Sequence, residues 1–446
     1  MPDHHSSSPD LLLRPSWLWV DDAPRSGMEI AVHEGRIADV RESDLPVNLP
    51  GRLLMPGFVN AHSHAFQRGI RGWVQCASGD DNFWSWRERM YQLASTLNPD
   101  GVQALSALAY LEMIQAGFTT VGEFHYLHHQ PDGTPYADRL ELAHRVVAGS
   151  DEVGIRMMLL RVAYSRAGAG QPALPEQRRF CDADMDGVLA DVEALRALGG
   201  FSAGLAAHSV RALTEGQLRA LSSFEGPVHA HVDEQPAEVA QCLAEHGCRP
   251  LELFDRVGLL GPSFCAVHFT HPSPNEVALL IERQAQVVAC PTTEMDLGDG
   301  FLPVESLQSV PLSIGTDSHV RIDPLAEIRA LEWHARARLG KRCVMVQSEN
   351  PGALSSRLLS IGTEGGARAL GMNTGRLEIG CEADLIAVDM GHLACATGPL
   401  LPNWVFSGHP TQVRDVWVGG KQVLWDGHHP EETRIRERAL AVLKSV

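Results

Sequence analysis

The stretch that decides the fold is Met55-Pro56-Gly57-Phe58-Val59-Asn60-Ala61-His62-Ser63-His64, an apolar segment that ends in a His-x-His pair. In an extended strand, residues two apart point to one face, so His62 and His64 can bind one ion while Ser63 points away. Three more apolar segments also end at a side chain that binds metals: His231 after Pro227, His268 after Phe264–Val267, and Asp317 after Pro311–Gly315. This pattern predicts a catalytic metal site where several strand ends meet.

The donor atoms indicate which metal such a site would hold. Three imidazoles and one carboxylate, from His62, His64, His231 and Asp317, suit Zn²⁺ or Fe²⁺ better than Mg²⁺ or Ca²⁺, which prefer oxygen ligands. A water would complete the shell, and a shell with a water is typical of catalysis. His229-Ala230-His231 is a second pair, and its spacing does not decide which member binds metal. His229 could equally be a core histidine bonded to the backbone.

The chain alternates short apolar runs with helix-like stretches from Pro56 to about Leu370, which is typical of βα units. Eight such units predict a (β/α)₈ barrel of the TIM type over residues 56–373, with its active site at the C-terminal ends of the strands. Short strand-like runs in residues 1–55 and 374–446 predict one small β-sandwich domain built from both chain ends. The predicted barrel strands are Leu53–Ala61, Thr119–Phe124, Ile155–Ala163, Ser202–Ala207, Pro227–Val232, Phe264–Phe269, Gln286–Pro291 and Pro311–Thr316.

Composition limits the possible partners. The 446 residues include 37 Lys and Arg against 55 Asp and Glu, a formal charge of −18, without a sustained basic run. Nucleic acid and anionic membrane surfaces are therefore unsuitable partners, and a small-molecule substrate is expected. The sequence has no apolar run of about 20 residues that would span a bilayer. Its nine cysteines are scattered without a Cys-x-x-Cys pair, which favours reduced thiols and a cytoplasmic location.

Proton transfer needs a further residue. The chain has three lysines, Lys341, Lys421 and Lys444, and none falls on a predicted barrel strand, which argues against two metals bridged by a carbamylated lysine. A single metal needs an external proton carrier, and Glu234, three residues after His231, can reach its water. The alternative for Glu234 is a solvated carboxylate that caps the next helix. His268 is either a donor that polarises the attacking water or a core histidine.

These residues resemble the amidohydrolase superfamily, in particular its mononuclear deaminase-like branch. The resemblance rests on Met55–His64, the His231/Glu234 pair, His268 and Gly315-Thr316-Asp317-Ser318-His319, and it extends to Gly375–Gly380 in the small domain. Longer motifs are similar to the formimidoylglutamate deiminase family. They are His64-Ala-Phe-Gln67-Arg68, Phe83-Trp-Ser-Trp-Arg87-Glu88, Glu123-Phe-His-Tyr126-Leu-His-His129, Gln177-Arg-Arg-Phe180, His208-Ser-Val-Arg211-Ala212 and Leu297-Gly-Asp-Gly300.

The resemblance implies a role for each site residue. It implies one Zn²⁺, with Fe²⁺ as the other possible ion, bound by His62, His64, His231 and Asp317. Glu234, His268 and Asp317 would be catalytic, and the implied substrate contacts are Gln67, Arg87, Tyr126, His208 and Arg211. The two arginines suit a small-molecule dicarboxylate, because a guanidinium matches a carboxylate in a bidentate pair. Arg166 and Met295 depart from the family pattern and are expected at the rim of the pocket.

The implied reaction is the hydrolysis of N-formimino-L-glutamate to N-formyl-L-glutamate and ammonia, a step of histidine degradation. Two alternatives remain. A deaminase of a purine-like heterocycle could use the same metal frame, although its pocket would need stacking aromatics and amides instead of paired arginines. A catalytically silent barrel would usually have lost one of the metal or shuttle residues, and this chain keeps them all. A homodimer is expected by analogy with the superfamily.

Overall fold

A computed structural model describes residues 9–73, 75, 83–392 and 395–445 of the chain, with the side chains of 83–85 excepted. Its strands are β1 Leu11–Leu13, β2 Pro15–Val20, β3 Ala23–Arg25, β4 Met28–His33, β5 Arg36–Glu42, β6 Leu49–Pro56, β7 Phe58–Ser63, β8 Phe118–His125, β9 Arg156–Ala163, β10 Arg166–Gly168, β11 Gln171–Pro172, β12 Ser202–Ala207, β13 Val228–Val232, β14 Phe264–His268, β15 Gln286–Ala289, β16 Leu312–Ile314, β17 Leu385–Asp389, β18 Val413–Val418 and β19 Lys421–Leu424.

The α-helices are α1 Phe83–Thr96, α2 Pro99–Ala116, α3 Glu141–Val153, α4 Met185–Leu198, α5 Glu215–Leu221, α6 Pro236–His246, α7 Pro250–Val257, α8 Pro274–Arg283, α9 Pro291–Leu297, α10 Pro324–Leu339, α11 Ala353–Ser360, α12 Gly366–Ala369, α13 Leu400–Ser407 and α14 Glu432–Leu443. Several begin with proline in the first turn, where the missing N–H costs no intrahelical bond. Asn98 and Asp323 also cap α2 and α10 through their side chains. First-turn prolines and capping side chains of this kind fix where these helices start.

Eight parallel strands form the barrel, in the order β16-β15-β14-β13-β12-β9-β8-β7. A parallel bridge between Ser63 and Asp317 links the end of β7 to the residues that follow β16. Every residue of β7, β8, β13 and β14 is buried, as expected for strands covered on both faces. The nearly closed TIM-like barrel predicted from the sequence is therefore confirmed.

One predicted strand is wrong in its extent. Leu53–Ala61 is not a single strand, because the chain changes sheets at Gly57: β6 pairs with β17 and β7 pairs with β8. A Cβ at Gly57 would lie 2.2 Å from the Thr119 side chain, so only glycine permits this close passage. The other seven predicted barrel strands agree with the observed ones within about two residues at each end.

The parts of the chain that flank the barrel form two further sheets, and the larger one combines strands from both parts. One is six-stranded, in the order β19-β18-β17-β6-β2-β3, and the other is three-stranded, in the order β1-β4-β5. Leu18, Leu54 and Trp417 from the first sheet share an apolar core with Ile30 and Val32 from the second. A separate β-sandwich domain with boundaries at 1–55 and 374–446 stays a prediction, and residues 1–8, 393, 394 and 446 of it lie outside the described part.

Two C-terminal helices pack against the barrel. The Trp404 ring of α13 lies 6.2 Å from Phe58 at the start of β7, and Arg438 of α14 pairs with Glu152 of α3 at 2.7 Å. Within the described ranges, no helix combines the length and the apolar character needed to cross a bilayer. The eight cysteines in those ranges are free thiols, and Cys76 lies outside them.

Candidate metal centre and its cavity

The first and last barrel strands meet where β7 pairs with the residues after β16, and we call this contact the seam of the barrel. Its backbone hydrogen bonds position three residues of the site. His62 and Ser63 are the last residues of β7, and His64 follows directly. Ser63 points away from the two histidines and donates to Glu123 Oε2 at 2.5 Å, as the strand periodicity predicted. Asp317 N donates to His62 O at 3.0 Å, and His64 N donates to Asp317 O at 3.0 Å. The seam therefore holds His62, His64 and Asp317 side by side.

Four buried histidines and Asp317 converge at this point. His62 Nε2 lies 3.2 Å from His231 Nε2 and 3.5 Å from Asp317 Oδ1. His64 Nε2 lies 3.2 Å from the same Asp317 oxygen. His268 stacks on His231 with ring centroids 5.3 Å apart, and its Nε2 is 4.0 Å from Asp317 Oδ2. The structure thus brings together every metal ligand predicted from the sequence.

The bonding of His64 shows that this donor set fits a cation. His64 Nδ1 faces the Phe124 carbonyl oxygen at 3.0 Å, so this nitrogen carries the proton and donates it. Burial lowers the pKa of His64 to about 3, which keeps the ring neutral. Its Nε2 lone pair then faces the Asp317 oxygen. Two acceptors at this distance repel each other unless a cation lies between them, and imidazole with carboxylate is a ligand set that zinc accepts.

The choice between His229 and His231 is now clear. His229 Nε2 bonds to Ala369 O at 2.9 Å, so it is a core histidine satisfied by the backbone. His231 alone of the pair lies in the cluster. His268 also belongs to the site rather than to the core, and it adopts a left-handed backbone conformation with φ 73°. Strained backbone conformations of this kind cluster at functional sites.

Glu234 is not a solvated helix cap. Its side chain is 7% exposed; Oε2 accepts from Arg211 Nη2 at 2.8 Å, and Oε1 lies 3.7 Å from His268 Nε2. Arg211 Nε is also 3.8 Å from Glu238 Oε1, and Glu238 Oε2 accepts from the Glu234 backbone N–H at 3.1 Å. Burial raises the pKa of Glu238 to about 7 although Arg211 opposes the shift. Arg211 therefore lies between two carboxylates.

A second carboxylate contacts the other nitrogen of His268. Glu294, in the first turn of α9, places Oε1 3.4 Å from His268 Nδ1 and accepts from the Cys290 N–H at 2.7 Å with the same oxygen. Both side chains are 1% exposed. Burial alone would lower the pKa of His268, but Glu234, Glu294 and Asp317 outweigh it and raise the pKa to about 10. Sequence reasoning missed this role of Glu294, since no spacing rule connects it to His268.

A cavity of about 300 Å³ opens over the cluster. His64, His231, His268, Glu234 and Asp317 line one part of it. All five substrate contacts implied by the resemblance line the same cavity: Gln67, Arg87, Tyr126, His208 and Arg211. The structure therefore brings both predicted sets of site residues to one space at the C-terminal ends of the strands.

Other lining residues were not predicted. Trp86, Tyr91 and Tyr164 face the cavity, although none carried a site assignment from the sequence. By contrast, neither Arg166 nor Met295 is among the lining residues in the described part of the chain. The Arg166 guanidinium pairs with Glu245, and Met295 is 48% exposed on α9. An effect of these two residues on the rim of the pocket stays a prediction.

The barrel, the seam and the His/Asp cluster define a class of enzyme, and the chain belongs to the amidohydrolase family, whose family model matches residues 53–423. It is accordingly a hydrolase of the kind that uses a metal to cleave C–N bonds. One relative is the formimidoylglutamate deiminase of Pseudomonas aeruginosa, 40% identical over 427 residues, with 92% of this chain and 93% of the relative covered.

Other relatives carry different names. A 5-methylthioadenosine/S-adenosylhomocysteine deaminase of Halobacterium salinarum is 31% identical, with 79% of this chain and 77% of the relative covered. The crystal structure of an amidohydrolase from Brucella melitensis is 33% identical, has a TM-score of 0.89 and covers 97% of this chain and 99% of its own. An adenosine deaminase from Xanthomonas campestris with bound zinc is 25% identical, with a TM-score of 0.82 and 98% and 99% coverage.

Proposed function

We propose that this protein hydrolyses N-formimino-L-glutamate to N-formyl-L-glutamate and ammonia, a step of histidine degradation. The observation that carries the proposal is that Arg87 and Arg211 line the same cavity as the His/Asp cluster. A dicarboxylate with an amidine needs cationic groups for its carboxylates and a hydrolytic centre for its C–N bond. The 40% identity to a deiminase of this name supports the assignment.

The cofactor we propose is one Zn²⁺ held by His62, His64, His231 and Asp317, with Fe²⁺ as the other ion that suits these donors. When bound, such an ion lowers the pKa of a water and polarises the group under attack. Lys341, Lys421 and Lys444 all lie in the described part and outside the eight barrel strands, which supports a single-metal site without a carbamylated lysine.

Three side chains would handle the protons of the reaction. Glu234 accepts one proton of the attacking water as its oxygen adds to the formimino carbon, and Asp317 accepts the second when the C=O bond of the formyl group forms. Glu234 then returns the proton to the departing nitrogen, the C–N bond breaks, and ammonia leaves. His268, with Nε2 near both Glu234 and Asp317, donates a hydrogen bond to the reacting oxygen. Glu234 suits this task because it is buried beside His268 and shielded from bulk water.

Substrate orientation would fall to the other lining residues. Arg87 and Arg211 attract the two carboxylates, and Gln67, Tyr126 and His208 offer polar atoms beside the cluster. Gln67 Nε2 donates to the Tyr126 hydroxyl at 2.7 Å, which fixes both side chains next to His64. Groups held in place before the substrate arrives reduce the entropic cost of binding.

A specific observation favours a second candidate, a deaminase of a purine-like heterocycle. Trp86, Tyr91, Tyr126 and Phe180 line the cavity, and aromatic rings of this kind can stack on a heterocycle. The relative from Halobacterium salinarum has a name of that kind. The paired arginines distinguish the two readings, because a neutral heterocycle gains little from two guanidinium groups.

The test is ammonia release by the purified, zinc-loaded protein. N-formimino-L-glutamate would be compared with guanine, with adenosine and with N-formimino-glycine, which lacks the second carboxylate. We expect rapid release from the glutamate compound alone. Release from a heterocycle alone would leave the metal site in place and overturn the substrate assignment.

We also propose a cytoplasmic location, a homodimer and a separate small domain. The homodimer would be tested by light scattering of the protein as it elutes from a size-exclusion column. A mass near that of one 48.6 kDa chain would contradict it.

A further inference from the structure

Gln177 holds two tyrosines in the wall of the cavity. It lies in the 3₁₀ helix Pro175–Phe180 and is fully buried. Its Oε1 accepts from the Leu174 N–H at 2.8 Å, which fixes the orientation of the amide. The Nε2 group therefore donates to both tyrosine hydroxyls, to Tyr91 at 2.9 Å and to Tyr164 at 2.7 Å.

This bonding determines what the hydroxyls offer the cavity. Each tyrosine oxygen already accepts from Gln177, so each hydroxyl hydrogen is left to donate elsewhere. The two hydroxyls are within hydrogen-bonding reach of each other, but a bond between them uses only one of the two hydrogens. At least one O–H is thus available to a ligand. Burial raises the pKa of Tyr164 well above its usual value, which keeps this hydroxyl protonated.

The charges around the pair favour an anion. Arg87 lies over the Tyr91 ring with its guanidinium carbon 5.6 Å from the ring centroid. Arg211, the other arginine of the cavity, already faces Glu234 at 2.8 Å and Glu238 at 3.8 Å. Its charge is largely balanced within the protein. An incoming carboxylate therefore needs neutral donors in addition to the arginines.

We propose that Tyr91 and Tyr164, oriented by Gln177, form with Arg87 a subsite for one carboxylate of the substrate. The inference rests on the proposed function for its substrate and extends it, because it makes the two hydroxyls determinants of specificity. A tyrosine O–H and a guanidinium suit a carboxylate, since both donate and neither accepts a hydrogen bond from it. The subsite would reject ligands whose corresponding end is neutral or cationic.

The experiment measures binding of glutarate, a dicarboxylate without a formimino group, by calorimetry on the zinc-loaded protein. Tyr91→Phe and Tyr164→Phe each remove one hydroxyl and keep the ring. We expect each to weaken glutarate binding about tenfold, as for the loss of a hydrogen bond to a charged group. Gln177→Glu keeps the shape but accepts the hydroxyl hydrogens, so it should weaken binding at least as much.

Tyr136→Phe is the matched control, because Tyr136 does not line the cavity. It should leave glutarate binding unchanged, and melting temperatures would show that all variants are folded. If one variant fails to fold, the remaining tyrosine variant carries the test. Unchanged glutarate affinity in folded Tyr91→Phe and Tyr164→Phe would overturn the subsite.

Turnover separates this inference from the proposed function. If N-formimino-L-glutamate is hydrolysed, the same variants should raise KM about tenfold with a smaller effect on kcat, since the carboxylate is distant from the bond that breaks. If the wild-type protein binds glutarate through the Tyr91 and Tyr164 hydroxyls but releases no ammonia, the proposed function is wrong and the subsite is supported. If ammonia is released with unchanged KM in both tyrosine variants, the subsite falls instead.

Discussion

At the scale of single residues, His268 has unusual surroundings. Its two ring nitrogens face carboxylates on opposite sides: Nε2 faces Glu234 and Asp317, and Nδ1 faces Glu294. The contact with Glu294 fixes the ring, because the Glu294 oxygen is itself held by the Cys290 N–H. Partners of this kind, one step removed from the reacting atoms, often decide how well a catalytic histidine works.

Replacing Glu294 should therefore affect catalysis more than binding. We expect Glu294→Gln to lower kcat about 10–100-fold with little change in KM, because the amide keeps the packing but loses the charge that orients His268. Glu327→Gln is the matched control. Glu327 accepts from the Thr292 N–H at 2.9 Å, in the same first turn of α9. Equal losses of kcat in both variants would show that Glu294 only supports the helix.

Glu234 provides the second prediction at this scale. Glu234→Gln should reduce turnover about 10²–10⁴-fold, because the amide cannot carry the proton to the departing nitrogen. Metal content, measured by elemental analysis, should remain near that of the wild type. Glu245→Gln breaks a similar pair, with Arg166, outside the cavity lining and should leave turnover unchanged. Normal activity in Glu234→Gln would exclude the proton-shuttle role.

Single residues were predictable where a local rule constrains them. The two-residue period of strands and the position at strand ends located His62, His64 and Asp317 from sequence alone. That period could not separate His229 from His231, because both point to the same face of β13 and differ only in their partners. The Ala369 carbonyl that satisfies His229 comes from a distant helix. The pairing of His268 with Glu294 likewise depends on the spacing between β14 and α9.

At the scale of elements, the seam between β7 and the end of β16 is the decisive contact. Gly315 follows β16 and passes directly under β7. A Cβ at this position would lie 2.7 Å from the His62 Cβ and 2.8 Å from the His62 carbonyl oxygen. The absence of a side chain at Gly315 thus allows the seam to close with His62 and Asp317 in contact.

Gly315→Ala should push the seam apart. We expect destabilisation of about 1–3 kcal/mol, as for overpacking in a tight core, together with weaker metal retention during dialysis. Gly216→Ala is the control, since Gly216 has open space around it within helix α5. That change should be neutral or slightly stabilising, because alanine favours helix. A Gly315→Ala protein that melts and binds metal like the wild type would contradict this account of the seam.

Periodicity identified most elements but not where the chain passes between sheets. The run from Leu53 to Ala61 is continuously apolar, and nothing in its pattern indicates that β6 and β7 belong to different sheets. The break depends on the close contact of Gly57 with Thr119, a tertiary contact that the local sequence pattern does not reveal. Strands as short as β1 and β3, with three residues each, give too little periodicity for a sequence prediction.

At the scale of the whole molecule, Asp384 connects the barrel to the flanking sheets. Its side chain is fully buried and accepts from Arg156 Nε at 2.6 Å, from Thr374 at 2.9 Å and from the Gly419 N–H at 2.7 Å. Arg156 starts barrel strand β9, so one carboxylate joins three parts of the chain. A buried charge of this kind is stable only while its partners remain.

Arg156→Met should therefore leave Asp384 buried without its main partner. We expect a loss of about 3–5 kcal/mol in the free energy of unfolding, measured as a lower denaturant midpoint. Arg414→Met removes an arginine from the mostly exposed pair with Asp426 and should change the midpoint little. Equal midpoints for the two variants would show that the Asp384 connection is unimportant.

Acid should also destabilise the whole fold through His125. Burial first, and then the charges of Arg161 and Arg179, lower its pKa from an ordinary 6.5 to about 3. The folded state thus stays neutral where the unfolded state binds a proton, so stability present above pH 6.5 is lost as the pH falls towards 3. His125→Leu should make this loss less steep by up to about 1.4 kcal/mol per pH unit. An unchanged slope between pH 6 and pH 4 would contradict the prediction.

The seam has a consequence for biosynthesis. The hydrogen bond between Asn60 and Thr316 that accompanies it joins residues 256 positions apart, so the first and last barrel strands can meet only after the ribosome has released both. A nascent chain that carries His62 and His64 still lacks Asp317 and cannot assemble the full set of donors. Loading with metal therefore comes late in synthesis, once the residues after β16 have left the ribosome, and a product of premature termination before β16 would bear no hydrolytic centre.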